Sequence, residues 1–311
     1  MASQRGLFTA SQGRQCGYTT DELQQARVDG ALASVRRGVY ALAATYHGLP
    51  PLERHLVDTQ AALMRLTAAA TLSHETAAVW TGVELLRPDL GTVHVTRPEL
   101  PASHLSAGIH HHPGALPKDQ MLTLGGVRVT SPARSAVDIA RRADFPRGLA
   151  AVDSCLRAGT TAAELLTVLE FCRAWAGARG ASRAVSAGDG RAANPGESFS
   201  RAVLIENGLA PSALQHAVHD GRGLIGYADF AWPEHWTLGE FDGRLKYAVP
   251  EGADPDAAGA VVWAEKQRED RFRNRGYEVV RWTWVDLYRP GQLVGRLLAA
   301  FARGSALRRT G

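Results

Sequence analysis

The stretch YADFAWPEHWTLGEFDGRLKY, residues 227–247, places two aromatic-rich runs on either side of a proline-bearing turn. If YADFAW and TLGEFDG are antiparallel strands joined by PEHW, the turn is centred between Glu234 and His235, and Asp229 falls directly opposite Glu240. Opposed residues hold their Cβ atoms about 4.5–5.5 Å apart. Side chains alternate along a strand, so Asp242 shares the face of Glu240, while Phe230, Trp232 and Phe241 lie on the other. The pattern predicts one apolar face that packs into a core and one face that gathers three carboxylates.

Like charges set opposite one another destabilise a sheet, so such a face needs a cation or raised carboxyl pKa values. Mg²⁺ or Mn²⁺ answers that need. Hard divalent ions take oxygen ligands, and this is the basis of metal-assisted phosphodiester hydrolysis. Asp229, Glu240 and Asp242 are the expected metal ligands. The alternative is a solvated hairpin face, ion-paired by Arg244 and Lys246.

Asp229, followed after a turn by Glu240-Phe241-Asp242-Gly243, resembles the PD-(D/E)xK restriction-endonuclease-like core, in the branch similar to very-short-patch-repair (Vsr) endonucleases. AEKQREDRFRNRGYEVVRWTWVDL, residues 264–287, is similar to the next part of that branch: a charged helix, a glycine break at Gly276 and a strand. The resemblance covers residues 190–303. It implies a mixed sheet flanked by helices and metal-dependent hydrolysis of DNA. The family's lysine two residues after the glutamate is Asp242 here, which leaves Lys246 and Lys266 to supply positive charge to a catalytic set of Asp229, Glu240 and Asp242. Glu197, in NPGESFSRAVL, stands where the family often places an acid on its first helix. It also reads as the far end of a capping box that begins at Asn194, with Pro195 at the first helical position.

Working towards the amino terminus, residues 1–48 read as a small helical unit closed by a hairpin. TTDELQQARVDG opens with a capping box between Thr19 and Glu22 and ends at Gly30, and LASVRRGVYALA comes next as two β-prone runs around Arg36, Arg37 and Gly38. Helix, turn, helix and basic wing is the order of a winged-helix DNA-binding module. It directs Gln24, Gln25 and Arg27 to base edges and Arg36 and Arg37 to phosphates. The segment GLFTASQGRQCGYTTDELQQARVDGALASVRRGVYAL resembles the amino-terminal part of AbiEi-type antitoxins, which implies an autoregulator of a toxin–antitoxin operon with DNA and a toxin as partners.

Residues 49–176 read as an α/β middle domain, with Ser73 and Ser131 as helix caps and a capping box from Thr161 to Glu164. The motifs SHETAA and TSPAR are similar to those of the same antitoxin family. His110, His111 and His112 are consecutive on a strand-like run, so at most two can face one ligand, and no zinc spacing accompanies them. They are expected to be a solvated strand end without metal. Residues 177–196 are a Gly- and Arg-rich connection with room for a helix, leading into a third domain at 190–311.

Composition bounds these readings. With 311 residues, 45% hydrophobic and 21% charged, the chain can bury real cores in two or three domains. Three cysteines, Cys16, Cys155 and Cys172, form no metal or disulfide pattern. A net charge of +4 permits nucleic-acid binding without requiring it. No apolar run spans a membrane and the amino terminus has no signal-peptide pattern, so a cytoplasmic protein is expected. The sequence therefore supports an α/β (α+β overall) chain of winged-helix-like head, α/β middle domain and restriction-endonuclease-like domain. Two functions stand open: a Mg²⁺-dependent DNA endonuclease, or a non-catalytic DNA-binding regulator or antitoxin whose nuclease-like domain is inactive.

Overall fold

The computed structural model describes residues 5–66, 70–243 and 255–307. The chain divides into two compact units, Met1–Arg142 with Thr160–Ala181, and Ala143–Gly159 with Ser182–Gly311.

The first unit opens with β1 (Phe8–Thr9), α1 (Ala10–Gln15), α2 (Thr20–Val28), β2 (Leu32–Arg36), β3 (Val39–Leu42) and α3 (Ala43–His47). Thr9 caps α1 in a box with Gln12, and Thr19 caps α2 in a box with Glu22, so each short helix has its first amide groups satisfied. Strands β1, β3 and β2 form an antiparallel sheet in that order. Leu7, Val39 and Ala41 from this head share a core with Val57 and Ala61 of α4 (Pro51–Leu63), and that core holds the head to the helix.

Next come β4 (Thr71–Leu72), α5 (His74–Trp80), β5 (Val93–Thr96), β6 (His104–Ser106), β7 (Ile109–His112), β8 (Met121–Leu124), β9 (Val127–Thr130) and α6 (Pro132–Arg142). The six strands form one mixed sheet in the order β6-β7-β5-β4-β9-β8, parallel at β7/β5 and β4/β9. Ala62, Leu72, Ala77, Val93, Val95, Ile109 and Val129 make its core. Ser131 caps α6 by accepting the Arg134 amide. Arg134 itself is buried, paired with Asp138 at 2.7 Å and bonded to Gln120.

The second unit begins with α7 (Phe145–Arg157). Helix α8 (Ala162–Phe171), capped by the Thr161–Glu164 box, returns to the first unit, and the division falls within α9 (Ala178–Ala187). In the second unit α10 (Pro195–Glu206) is tied to α7 by a buried Arg201–Asp153 ion pair of 2.8 Å. Strands β10 (Ala213–Asp220), β11 (Gly223–Trp232) and β12 (Thr237–Asp242) run antiparallel in sequence order; α11 (Pro255–Asn274) then leads to β13 (Glu278–Thr283), parallel to β12. A parallel neighbour requires such a crossover. Val218, Ile225, Ala228, Leu238, Phe272 and Val279 form one core. A Cβ on Gly239 would lie 2.5 Å from the Trp282 ring, so only glycine lets β12 pass beneath that indole. Helices α12 (Trp284–Leu287) and α13 (Pro290–Leu307) complete the unit. Mixed sheets flanked by helices make this an α/β chain, and no described helix is long and apolar enough to cross a membrane.

Candidate functional site

The β11–β12 ladder pairs Phe230 with Gly239 and Trp232 with Thr237, so one step further Asp229 is level with Glu240. The turn between them is a 3-10 segment, Pro233–His235, closed by Trp236 in the left-handed region at φ 48°. Glu240 in turn is the register partner of Arg281 on β13, and on β10 Gln215 falls level with Asp229. Gln215, Asp229, Glu240 and Arg281 thus form one row across the four strands. Asp229, Glu240 and Asp242, with Glu265, Arg268 and Arg281, line a cavity of about 160 Å³.

Each acid in this row has a defined partner. Asp229 accepts the Phe241 amide at 2.9 Å and the Gln215 side-chain amide at 3.3 Å. The same Gln215 nitrogen reaches Glu197 at 3.2 Å, so one amide bridges two carboxylates. Glu240 is 4% exposed, with Arg268 at 2.7 Å on one oxygen and Arg281 at 3.2 Å on the other. Arg281 also grips Asp242 bidentately, at 3.0 and 2.9 Å, and touches Glu265 and Glu269. Burial pushes Asp229 up, and it pushes both Glu197 and Glu240 up to about 7. For Glu240 the two guanidinium groups oppose that rise without cancelling it. Among the described residues Glu197 has no such ion pair; Asp229 raises it further and Arg157 lowers it.

These contacts revise the expected roles. Asn194 caps α10 through the Gly196 and Glu197 amides, but the Glu197 carboxylate bonds the Ala193 amide and the Asn194 side chain, so only half of the capping box forms. Lys266 is exposed and does not line the cavity. Arg244 and Lys246 lie outside the described residues. The positive charge beside Glu240 comes instead from Arg268 and Arg281, and the bridge from Gln215, none of which the hairpin sequence singles out. Arginines bond both oxygens of Glu240 and both of Asp242.

On the head, Gln24, Gln25 and Arg27 are exposed along one side of α2, with Leu23 buried beneath. Arg27 donates to Gln24 at 2.6 Å and Gln25 to Asp29 at 2.8 Å. Arg37 is exposed at the β2–β3 turn. Arg36 is not turned outward for phosphate: it is half-buried and donates to the backbone carbonyls of Asp58 and Ala107.

The histidine run is not a solvated strand end either. Strand β7 lies between β6 and β5, and His111 and His112 are buried. His94 is the register partner of His110, which puts His94, His110 and His112 on one face of the sheet; His111, on the opposite face, stacks on His104. His74, the first residue of α5, stacks on His112 with ring centroids 3.9 Å apart. Among the described residues, His74, His94 and His112 are the group whose ligand atoms lie within 4.8 Å of one another. Burial lowers all three, His94 to about 4. Ser73, the expected cap of α5, makes no side-chain cap bond; its hydroxyl meets the His74 ring instead.

Over 191 residues, 61% of this chain, the sequence is 30% identical to uncharacterized protein Rv2248 of Mycobacterium tuberculosis (strain ATCC 25618 / H37Rv), and to uncharacterized protein MT2308 of strain CDC 1551 / Oshkosh to the same extent. The chain spans 66% of the length of these relatives. The crystal structure of the RV2827C protein from M. tuberculosis is similar at a TM-score of 0.40 and 17% identity, over 69% of this chain and 83% of that one. Residues 67–188, which run from β4 to α9, match the family described as the AbiEi antitoxin C-terminal domain.

Proposed function

We propose that the chain is a DNA-binding regulator of the antitoxin type, and that its carboxyl-terminal unit does not cut DNA. The observation that carries the reading is the head: a capped helix pair and hairpin that present Gln24, Gln25, Arg27 and Arg37 outward, on the same chain as an AbiEi antitoxin domain. Gln suits adenine edges and Arg suits guanine edges or phosphates. A toxin partner accords with that domain. For the second unit, Asp242 in place of the motif lysine and the arginines that occupy Glu240 and Asp242 favour a binding or structural role.

The nuclease reading keeps one observation in its favour. A mixed sheet flanked by helices is what the restriction-endonuclease-like resemblance implies, and here it sets Asp229 level with Glu240 while Gln215 bridges Asp229 to Glu197. One experiment separates the two. The purified full chain is mixed with duplex DNA from upstream of its own coding region, with and without Mg²⁺ or Mn²⁺. Binding that weakens steeply with salt and leaves the DNA intact is expected. Metal-dependent cleavage that Asp229→Asn abolishes would replace the regulator with the nuclease.

A further inference from the structure

We propose that His74, His94 and His112 form a binding site for a borderline first-row divalent cation, Zn²⁺ above all, which fastens the start of α5 to strands β5 and β7.

Three separate elements deliver the rings to one buried point, and each residue is less than one-tenth exposed. His94 Nδ1 and His112 Nε2 lie 2.9 Å apart. Two nitrogens on one tetrahedral zinc, each about 2.0–2.1 Å from the metal, stand roughly 3.3 Å apart, so a small outward shift of either ring admits an ion between them. His74 Nδ1 is taken by Ser73 Oγ at 3.0 Å, which leaves its Nε2 as the third donor. His74 holds this place at φ 52°, in the left-handed region that costs a side-chain-bearing residue free energy and that tends to mark functional positions.

A second observation points the same way. His94 Nε2 is buried with no hydrogen-bond partner, and a carboxylate oxygen of Glu75 stands 3.9 Å off. In a protein that is only packed, such an orphan costs free energy without return. Behind a metal it has a use. With Nδ1 on the ion, His94 carries its proton on Nε2, directed at Glu75, the carboxylate–histidine–metal arrangement that orients a ligand and raises its basicity. All-imidazole donors suit Zn²⁺, Cu²⁺ or Ni²⁺ and not the oxygen-seeking Mg²⁺ or Ca²⁺. A fourth position remains for water or for a small swing of Glu75.

The test uses the untagged full chain, stripped with chelator, dialysed and titrated with Zn²⁺, with Mg²⁺ as the control. One equivalent of Zn²⁺ should bind, and the melting temperature should rise by about 3–6 °C for each tenfold increase of free Zn²⁺ above its dissociation constant. Mg²⁺ should do neither. His94→Gln should abolish stoichiometric binding, and Glu75→Gln should weaken it on the order of tenfold. Because His94→Gln alters a buried side chain, the unmutated chain is also loaded with Co²⁺, whose visible bands report tetrahedral nitrogen coordination. Failure to bind one equivalent, absence of those bands, or Zn²⁺ affinity undiminished in a folded His94→Gln chain would each overturn the proposal.

Discussion

Glu240 and Arg281 face each other across the parallel β12–β13 pair, 3.2 Å apart, and Arg281 is at the same time the bidentate partner of Asp242. Together with Arg268 on the other oxygen of Glu240, this guanidinium offsets the acidic face that the hairpin creates. Opposed carboxylates would repel by a fraction of a kcal/mol to about 1 kcal/mol per pair. Arginine supplies five donors in a rigid fork, which is why one side chain can serve Glu240, Asp242, Glu265 and Glu269 together.

Arg281→Met should accordingly lower stability on the order of 2–4 kcal/mol. Its 24% side-chain exposure keeps the loss below the upper range for a fully buried pair. Removing the arginine takes from Asp242 its bidentate partner, while Arg268 still holds Glu240 and Glu265 and Arg273 holds Glu269, so the cluster gains net negative charge that a cation can offset. In chemical denaturation, Mg²⁺ should recover part of the loss in Arg281→Met while leaving the parent unchanged. A variant that melts like the parent would show that this arginine is not what balances the acids.

Glu197 gives stability a pH dependence whose sign follows from its raised pKa. A carboxyl that titrates near 7 when folded and near 4.5 when unfolded binds its proton more tightly in the folded state. Its contribution is fully present at acid pH and is lost as pH rises through that window. Glu197→Gln should flatten the fall between pH 4.5 and 7 and make the chain relatively more stable at pH 8, on the order of 1–3 kcal/mol. Asp229→Asn should move the Glu197 transition to lower pH, because Asp229 is one of the groups that raises it. Urea midpoints measured across this range decide it, and identical slopes in parent and Glu197→Gln would sink the assignment.

The wing arginines should separate by what they touch. Arg36→Ala removes two bonds to backbone carbonyls and should cost on the order of 1–2 kcal/mol of stability. Arg37→Ala, at an exposed turn, should leave melting unchanged within about 0.5 kcal/mol yet reduce the salt dependence of DNA binding by about one phosphate contact. Fluorescence anisotropy over a salt series, alongside thermal melts, distinguishes them. Equal effects of both substitutions on the salt slope would return Arg36 to the phosphate-contacting set.

The contrast between Arg36 and Arg37 shows where sequence patterns stop. The Thr19 and Thr161 caps are legible because donor and acceptor are three residues apart, and the alignment of Asp229 with Glu240 comes from the centre of one short turn. Arg281 reaches Glu240 only through a parallel pairing 41 positions along the chain, set by where α11 returns, and no local period encodes that. The histidines carry the same lesson. Alternation rightly parts His111 from His110 and His112, but His94 joins them by strand pairing and His74 by the packing of α5. The consecutive run marks the strand; the companions of His112 lie in SHETAA and VHVT. At Asn194 the local pattern is half right, because Glu197 is drawn toward Gln215 on β10.

Asp229→Asn is the variant that most directly weighs regulator against nuclease. Asparagine keeps an oxygen for the Phe241 amide, so the hairpin should hold, while Gln215 keeps its bond to Glu197 and loses the one to position 229. It removes a buried negative charge from beside Glu197, which should leave melting at pH 8 equal to the parent or raise it on the order of 0.5–1 kcal/mol. Under the regulator reading, salt-dependent DNA binding is unchanged and neither protein cuts DNA in Mg²⁺ or Mn²⁺. Under the nuclease reading, the parent cuts and Asp229→Asn does not. Binding and cleavage are measured on the same duplex at the same salt, so a variant that loses both at once has lost its fold, which the melting curve reveals. Cleavage by the parent that chelator stops and Asp229→Asn abolishes, with melting retained, would make the row from Gln215 to Arg281 a catalytic one.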